Sequence, residues 1–221
     1  MSSGLQTIEY ENLSSTVYAT LCDALIKGQF RPGDRLKIRD IAQKLGTSVT
    51  PVRDAILRLT HDDALVFHSA RDIRIPVVGM DRYMEIRSIR LRLESLAAEN
   101  AAKRATIKDI DRLSLLIERN EKAIAEGDGL LGIELNQAFH FELSVIAQMP
   151  VLYGTLRRIW LQMGPLVAAS YNQGGRSMID HHYPVLDALK RHEPEAASAA
   201  IMQDILTGGQ CILESVRASG V

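Results

Sequence analysis

The segment IRDIAQKLGTSVTPVRDAILRL, residues 38–59, determines the fold of the N-terminal part of this chain. Gly46 ends a first helix, because glycine takes the left-handed C-terminal conformation without steric cost. Pro51 suits the first turn of a second helix, which Ser48 or Thr50 can cap. The segment therefore predicts a helix-turn-helix, whose second helix enters the DNA major groove; an ordinary helical hairpin is the alternative. The two apolar stripes are Ile38, Ile41, Ala42 and Leu45, then Val52, Ala55, Ile56 and Leu59.

The flanking segments extend this pattern to a winged helix. Upstream, residues 27–36 form a turn marked by glycine and proline. Downstream, β-branched and aromatic runs at 64–67 and 73–77 predict a β-hairpin, the wing. The motifs IKGQF, RPGDRL, IAQKLGTS, TPVRDAILRL and ALV follow one another in this order. They resemble the winged helix of GntR-family transcription regulators, and the resemblance covers roughly a third of the chain.

Composition and charge describe an ordinary globular protein with a local basic patch. The chain has 221 residues, 46% of them hydrophobic and 24% charged, which is enough for two small domains or one large one. The net charge of −1 gives no overall positive field. Residues 27–58, however, carry eight Lys/Arg against three Asp/Glu. A basic patch on the helix-turn-helix is what phosphate contact requires, although a solvated surface patch is the alternative.

Targeting and cysteine patterns point to a cytoplasmic protein. Cys22 and Cys211 are far apart and match no metal or redox motif, so buried thiols are expected. The polar N-terminus lacks the apolar core of a secretory signal. Since no apolar run approaches membrane-spanning length, no membrane partner is expected.

The chain after Met80 is predicted to be helical, which makes the fold mainly α. Short loops between the segments predict an α-helical bundle of six helices. We divide the chain into a DNA-binding domain, 1–78, and an effector-binding and dimerisation domain, 79–221, with residues 76–79 as the linker. Gly208-Gly209 is expected to weaken the sixth helix. The six predicted helices span 81–103, 106–126, 130–148, 151–171, 177–191 and 194–216.

The helical part resembles the FCD effector domain of the FadR-like branch of the GntR family, in its six-helix VanR-type form. The resemblance implies a domain that binds a small molecule, and a protein that acts as a homodimer. Leucine- and alanine-rich faces in 86–102 and 151–169 are the expected partner surfaces. The matching segments are IRLRLESLAAENAA (89–102), NQAFHFEL (136–143), HHYPVLDAL (181–189) and EPEAASAAIMQDI (193–205).

Many FCD domains hold a divalent metal, and the resemblance implies that Asn136, His140, His182 and Asp204 occupy the four ligand positions. Asn136 stands where a carboxylate is usual, and Asp204 where an imidazole is usual. Asn136 and His140 lie four residues apart and share one helix face. This donor set suits Zn²⁺, Ni²⁺ or Mn²⁺. A metal-free polar pocket is the alternative, and His181 is the alternative to His182.

Arg90 is the predicted receptor for the effector. It precedes Glu94 by four residues, as in the family motif, and a guanidinium inside a bundle requires an anionic partner. A small carboxylic acid would supply one bidentately, whereas a surface Arg90–Glu94 pair is the alternative. Arg87, Tyr171 and Arg176 are further candidates.

The DNA-facing candidates combine the helix-turn-helix geometry with the resemblance. Thr50 and Arg53 lie in the first turn of the second helix, and an arginine there can grip guanine O6 and N7. Val49 departs from the family pattern, which has a basic residue, and would touch a thymine methyl. The wing tip Ser69-Ala70 replaces the usual glycine-containing tip. The full set is Arg35, Ser48, Val49, Thr50, Arg53 and Arg71.

These features favour a ligand-responsive transcription regulator, by family default a repressor, that binds palindromic double-stranded operator DNA as a homodimer. Two alternatives compete with this interpretation: an enzyme that uses the bundle histidines and a metal, and a structural DNA-binding protein. The sequence contains no HExxH, phosphate loop or Ser/His/Asp set that would support the enzyme.

Overall fold

The computed structural model of the chain describes residues 13–69 and 71–220, apart from the side chain of Asn172. Ala70 of the predicted wing tip lies outside the described residues. The N-terminal part consists of α1 (Leu13–Ile26), β1 (Arg35–Leu36), α2 (Ile38–Lys44), α3 (Val49–His61), β2 (Val66–Ser69) and β3 (Asp72–Arg74).

Helices α2 and α3 form the predicted helix-turn-helix. Gly46 has a φ of +62°, the left-handed conformation that ends α2. Ser48 occupies the N-cap of α3, but its side chain makes no capping hydrogen bond to the described residues. The apolar stripe of α3 is fully buried against α1 and α2, which fixes the outward face of the helix. The buried stripe comprises Val52, Ala55, Ile56 and Leu59.

The wing is a three-stranded antiparallel sheet in the order β1-β3-β2, rather than the predicted two-stranded hairpin. Its third strand, β1, lies in the segment 31–36 that the sequence analysis treated as a turn. Arg35 pairs with Arg74 and Leu36 with Ile73. Two residues are too few to show alternation, so this strand depends on a partner almost forty residues away.

The rest of the described chain is a helical bundle, as predicted. Helix α4 runs along α9 and also contacts α6, α7 and α8. The elements of the bundle are α4 (Met80–Arg104), α5 (Ile107–Glu126), α6 (Gly129–Ile146), α7 (Pro150–Gly174), a 3-10 turn (Gly175–Met178), α8 (His182–Lys190), α9 (Pro194–Gln203), a π-helical segment (Asp204–Gly208) and α10 (Gln210–Ser219).

The predicted sixth helix is divided, so the described part of the bundle contains seven α-helices. The π-helical segment from Asp204 to Gly208 separates α9 from α10. A Cβ on Gly209 would lie 2.6 Å from the carbonyl oxygen of Ile205, so the backbone packs here in a way that requires glycine. π-Helical turns are common at functional sites. The predicted fifth helix is shorter than expected, because α8 begins at His182.

Candidate DNA interface and effector site

The outward face of α3 meets the wing in one groove. Arg53 and Val49 of α3 line this groove together with Arg35 and Arg71. Val49 leaves 37% of its surface exposed, so an apolar side chain is available to DNA beside the arginines. Four of the six predicted DNA-facing residues are thus brought together, and the other two, Ser48 and Thr50, are exposed at the start of α3.

Arg35 also has a structural role that the sequence analysis missed. Its Nε donates a 2.8 Å hydrogen bond to the carbonyl oxygen of Arg71, and its Nη2 contacts the same oxygen. Arg35 Nε also lies 3.9 Å from Asp72 Oδ1. The guanidinium therefore ties β1 to Arg71 and Asp72 of the wing. Some of its N–H donors are used inside the protein rather than left free for DNA.

Inside the bundle, the predicted metal-ligating residues lie together. Asn136 and His140 come from α6, His182 opens α8, and Asp204 opens the π-helical segment. His140 Nε2 lies 3.4 Å from Asp204 Oδ2, and His182 Nε2 lies 3.6 Å from Asp204 Oδ1. One ligand atom from each of these three residues lies within 4.8 Å of the others. His182, rather than the half-buried His181, faces this cluster.

Four buried atoms of this cluster that could bind a metal have no hydrogen-bond partner in the described part of the chain. They are Asn136 Oδ1, both ring nitrogens of His182, and Asp204 Oδ1. Buried polar atoms without partners are costly and are rare in native proteins. A cation would satisfy an amide oxygen, a carboxylate and two imidazoles at once. The residues present therefore fit a divalent metal.

Glu94 supports His140 from behind, a role that the sequence analysis did not assign. Glu94 Oε2 accepts a 2.7 Å hydrogen bond from His140 Nδ1, which leaves Nε2 directed at Asp204. Arg90 donates to the same carboxylate at 2.5 and 3.2 Å. Carboxylates that orient histidines in this way are common around metal sites. The family-like Arg90/Glu94 spacing was the available signal, and the structure shows this pair buried rather than at the surface.

Burial and neighbouring charges shift the ionisation of the cluster. Burial alone would raise the pKa of Glu94, but Arg90 and His140 outweigh it and lower this pKa to about 2. Burial raises the pKa of Asp204 to about 6. Burial, with the nearby His140, lowers the pKa of His182 well below its usual value. His182 is therefore neutral at pH 7, the form that binds metals.

The cluster opens on a small cavity of about 20 Å³. A cavity of this size holds about one water-sized group. A larger ligand must displace a wall of the cavity. The lining includes Tyr83, Arg87 and Arg90 of α4, Asn136 and His140 of α6, Trp160, Met163 and Val167 of α7, and Asp204, Ile205, Gly208, Gly209 and Ile212.

Two predicted effector contacts do not line this cavity. The Tyr171 hydroxyl donates a 2.7 Å hydrogen bond to Asn120 Oδ1. Arg176 lies at the surface, where it pairs with Glu121 and Asp180. Both side chains are engaged by these neighbours instead of the cavity.

Arg87, unlike Tyr171 and Arg176, lies at the cavity wall. It lines the cavity, and its Nη2 donates a 3.1 Å hydrogen bond to the carbonyl oxygen of Leu206 in the π-helical segment. Its Nε is buried without a hydrogen-bond partner among the described residues. Arg90, in contrast, is neutralised by Glu94 and stacks 4.6 Å from the Trp160 ring.

Comparison with known proteins agrees with this architecture. A model of the FCD domain matches residues 85–207, and a model of bacterial regulatory proteins of the gntR family matches residues 13–75. The HTH-type transcriptional regulator McbR of Escherichia coli strain K12 is 32% identical over 207 residues, which cover 90% of this chain and 94% of McbR. The chain belongs to the GntR family.

Other relatives of this GntR-family chain are also regulators. The Nta operon transcriptional regulator of Aminobacter aminovorans is 27% identical, with 86% of this chain and 90% of that protein covered. The structure of E. coli McbR/YncC superposes with a TM-score of 0.85 at 29% identity, over 95% of this chain and 99% of that one. A GntR regulator from Rhodococcus sp. RHA1, at 22% identity and a TM-score of 0.77, shares the fold.

The GntR-family chain is therefore a DNA-binding transcription regulator with a helical effector domain, and not an enzyme. The structural DNA-binding alternative is likewise unsupported, because these relatives are named as regulators. Among the described residues, no helix is both long and apolar enough to cross a membrane.

Replacement of Arg53 tests the DNA interface of this regulator. Arg53→Ala is expected to weaken operator binding by about 1–3 kcal/mol, because it removes a base or phosphate contact from the first helical turn. Arg53 is exposed, so the fold should be unchanged. Fluorescence anisotropy with labelled operator DNA measures the loss, and Arg119→Ala, at an exposed arginine of α5 outside the groove, is the matched control that should leave the affinity unchanged. Unchanged affinity in the folded Arg53 variant would remove Arg53 from the interface.

Proposed function

We propose that the protein is a cytoplasmic homodimeric repressor whose operator affinity is set by a small anionic effector, bound with a divalent metal inside the bundle. One observation carries this proposal: buried metal-type ligand atoms without hydrogen-bond partners lie beside a cavity that Asn136, His140 and Asp204 line, in a domain joined to a winged helix. Ser48, Val49, Thr50 and Arg53 would contact the operator from α3, while Arg71 would contact it from the wing.

The metal would be held by Asn136, His140, His182 and Asp204. Zn²⁺, Ni²⁺ and Mn²⁺ all accept a set of imidazole, carboxylate and amide donors. The ion would supply a positive centre toward which an anionic ligand is drawn. Glu94 would keep His140 Nε2 directed at the ion, as its hydrogen bond to Nδ1 supports.

The effector class follows from the charges at the cavity. Arg90 is already matched by Glu94, so it attracts an added anion weakly. Arg87 retains an unpartnered Nε at the cavity wall, and we therefore assign the carboxylate of a small organic acid to Arg87 rather than to Arg90. Because the cavity has room for about one water-sized group, this acid must displace a wall, and the glycine-containing segment after Asp204 forms one such wall.

The homodimer would use the outward side of α4. The alanines of 86–102 point inward: Ala97, Ala98, Ala101 and Ala102 are fully buried inside the chain, so they cannot form the expected partner surface. Ile89 and Leu96 on the same helix leave 39% and 41% of their surfaces exposed, with the half-buried Leu93 between them. This stripe is the apolar face of α4 that a second copy would cover.

Light scattering tests the dimer. The native chain is expected to show twice its monomer mass of 24.5 kDa at micromolar concentration. Ile89→Glu/Leu96→Glu should reduce this mass to that of a monomer, because the paired stripe would then bury like charges. Ile107→Glu, at a residue 82% exposed at the start of α5, is the control for an exposed apolar position. A monomeric native chain would contradict the proposal.

A combined screen tests the function as a whole. The full chain is mixed with operator DNA selected from a random duplex pool, and small carboxylic acids are added with Zn²⁺, Ni²⁺ or Mn²⁺. An acid that raises the melting temperature should also release the DNA, since a ligand stabilises the state that it binds. Acids that stabilise the protein but leave DNA affinity unchanged would argue against effector control.

A further inference from the structure

The turn that ends the reading helix α3 is held by the effector bundle. Asp62 accepts a 2.6 Å hydrogen bond from the Tyr18 hydroxyl and a 2.7 Å hydrogen bond from Arg158 Nη2. Gln162 donates to the backbone carbonyl of Asp62 at 3.3 Å. Two side chains of α7 thus reach directly to the C-terminal end of the helix that faces DNA.

Helix α4 holds the same turn from a second side. Arg82 donates a 3.3 Å hydrogen bond to Asp63 and a 2.7 Å hydrogen bond to Gln162 Oε1. Asp63 has a φ of +57°, a left-handed conformation that costs energy for a residue with a side chain. Such a conformation persists where surrounding contacts hold it, so the Asp62–Asp63 turn has one imposed geometry.

The backbones of α1 and α7 touch, so the effector domain also packs directly on the DNA-binding domain. A Cβ on Gly164 of α7 would lie 2.7 Å from the carbonyl oxygen of Leu25. A Cβ on Gly28, just after α1, would lie 2.1 Å from Ala168 Cβ of α7. Because α1 also packs on α3, this contact keeps α7 close to the reading helix, while the side chains of Arg158 and Gln162 make the connection to its C-terminal turn.

The other face of α7 forms a wall of the effector cavity. Trp160, Met163 and Val167 line this cavity, whereas Arg158 and Gln162 face the Asp62–Asp63 turn. The cavity has room for about one water, so any larger ligand must push a wall outward. A push on α7 displaces the two side chains that hold the turn.

We propose that the Asp62–Asp63 turn is the joint through which the effector domain sets the orientation of α3, with Arg158 and Gln162 as positioning residues. This inference rests on the proposed function and names its transmission route. Val78 in the linker 76–79 is itself buried in the core, so the linker packs as part of the fold. The coupling is a free energy shared by two distinct sites.

A double-mutant cycle on operator affinity tests the joint without a known effector. Val167→Phe places an aromatic ring where the cavity holds about one water, so it forces the walls apart. It should change the Kd for DNA selected by the native chain by about fivefold or more. In an Arg158→Gln/Gln162→Ala background the same substitution should change the Kd by less than about twofold, because the contacts that carry the push are gone.

The control background is Arg112→Gln/Gln173→Ala, which makes the same two chemical changes at exposed sites that do not contact the turn. There the full effect of Val167→Phe should remain. Near-UV circular dichroism establishes that each variant is folded, and Met163→Phe, one turn away, replaces Val167→Phe if that variant unfolds. The proposed role of the Asp62–Asp63 turn would be contradicted if Val167→Phe changed the Kd equally in the native and the Arg158→Gln/Gln162→Ala backgrounds. It would also be contradicted if Val167→Phe left the Kd of the native background unchanged. A native chain that selects no DNA sequence would instead contradict the regulatory function itself.

Discussion

Glu94→Gln is expected to destabilise the native chain by about 3–5 kcal/mol, the cost of breaking a buried ion pair from one side. Glu94 is 1% exposed and is the partner of both Arg90 and His140. The amide keeps the shape of the side chain but removes the charge, so the Arg90 guanidinium is left buried without a counter-charge. Urea unfolding of the full chain, followed by circular dichroism, measures the change.

The same helix supplies a matched control for this variant. Glu99 and Lys103 are also four residues apart on α4, but their pair lies at the surface. Glu99→Gln should cost no more than about 0.5 kcal/mol, since exposed ion pairs are screened by water. Equal costs for the two variants would show that burial of Glu94 is not what makes its charge important.

His140→Ala/His182→Ala is expected to abolish metal binding while leaving operator binding intact. Both imidazoles belong to the proposed ligand set, and Asp204 and Asn136 alone offer too few donors to hold a borderline ion tightly. At a hundredfold excess over Kd, a metal stabilises the native chain by about 2.7 kcal/mol, and this gain should vanish in the double variant. Thermal unfolding with and without Zn²⁺, Ni²⁺ or Mn²⁺ measures it, alongside elemental analysis of the purified protein.

His181→Ala/His192→Ala controls for the loss of two histidines from the bundle. His181 adjoins the cluster without facing it, and His192 Nδ1 bonds the carbonyl oxygen of Ala102. The control should retain the metal-dependent gain. If the native chain takes up none of the three metals, the site is a metal-free polar pocket. If the metal stabilises the His140→Ala/His182→Ala variant as much as the native chain, the metal binds at another site.

Local sequence determined the elements whose cause is local. Apolar spacing and Gly46 predicted the helix-turn-helix, and the helical segments from Met80 to Gln203 agree with the structure apart from shifted ends and the late start of α8. The resemblance named four metal candidates, and the structure brings ligand atoms of three of them, His140, His182 and Asp204, within 4.8 Å of one another. The helices depend on residues within a few turns of one another, which a single sequence displays directly.

Tertiary packing decided what depends on distant neighbours. Strand β1 exists because β3 offers it a partner, and the predicted sixth helix breaks after Asp204 where glycines meet the surrounding backbone. The sequence does not distinguish Arg176 from Arg87 as a candidate for the cavity. In the structure Arg176 is paired at the surface, whereas Arg87 lines the cavity and its Nε has no hydrogen-bond partner among the described residues. The charge state and direction of a side chain are set by the groups packed around it, and the sequence does not state which groups those are.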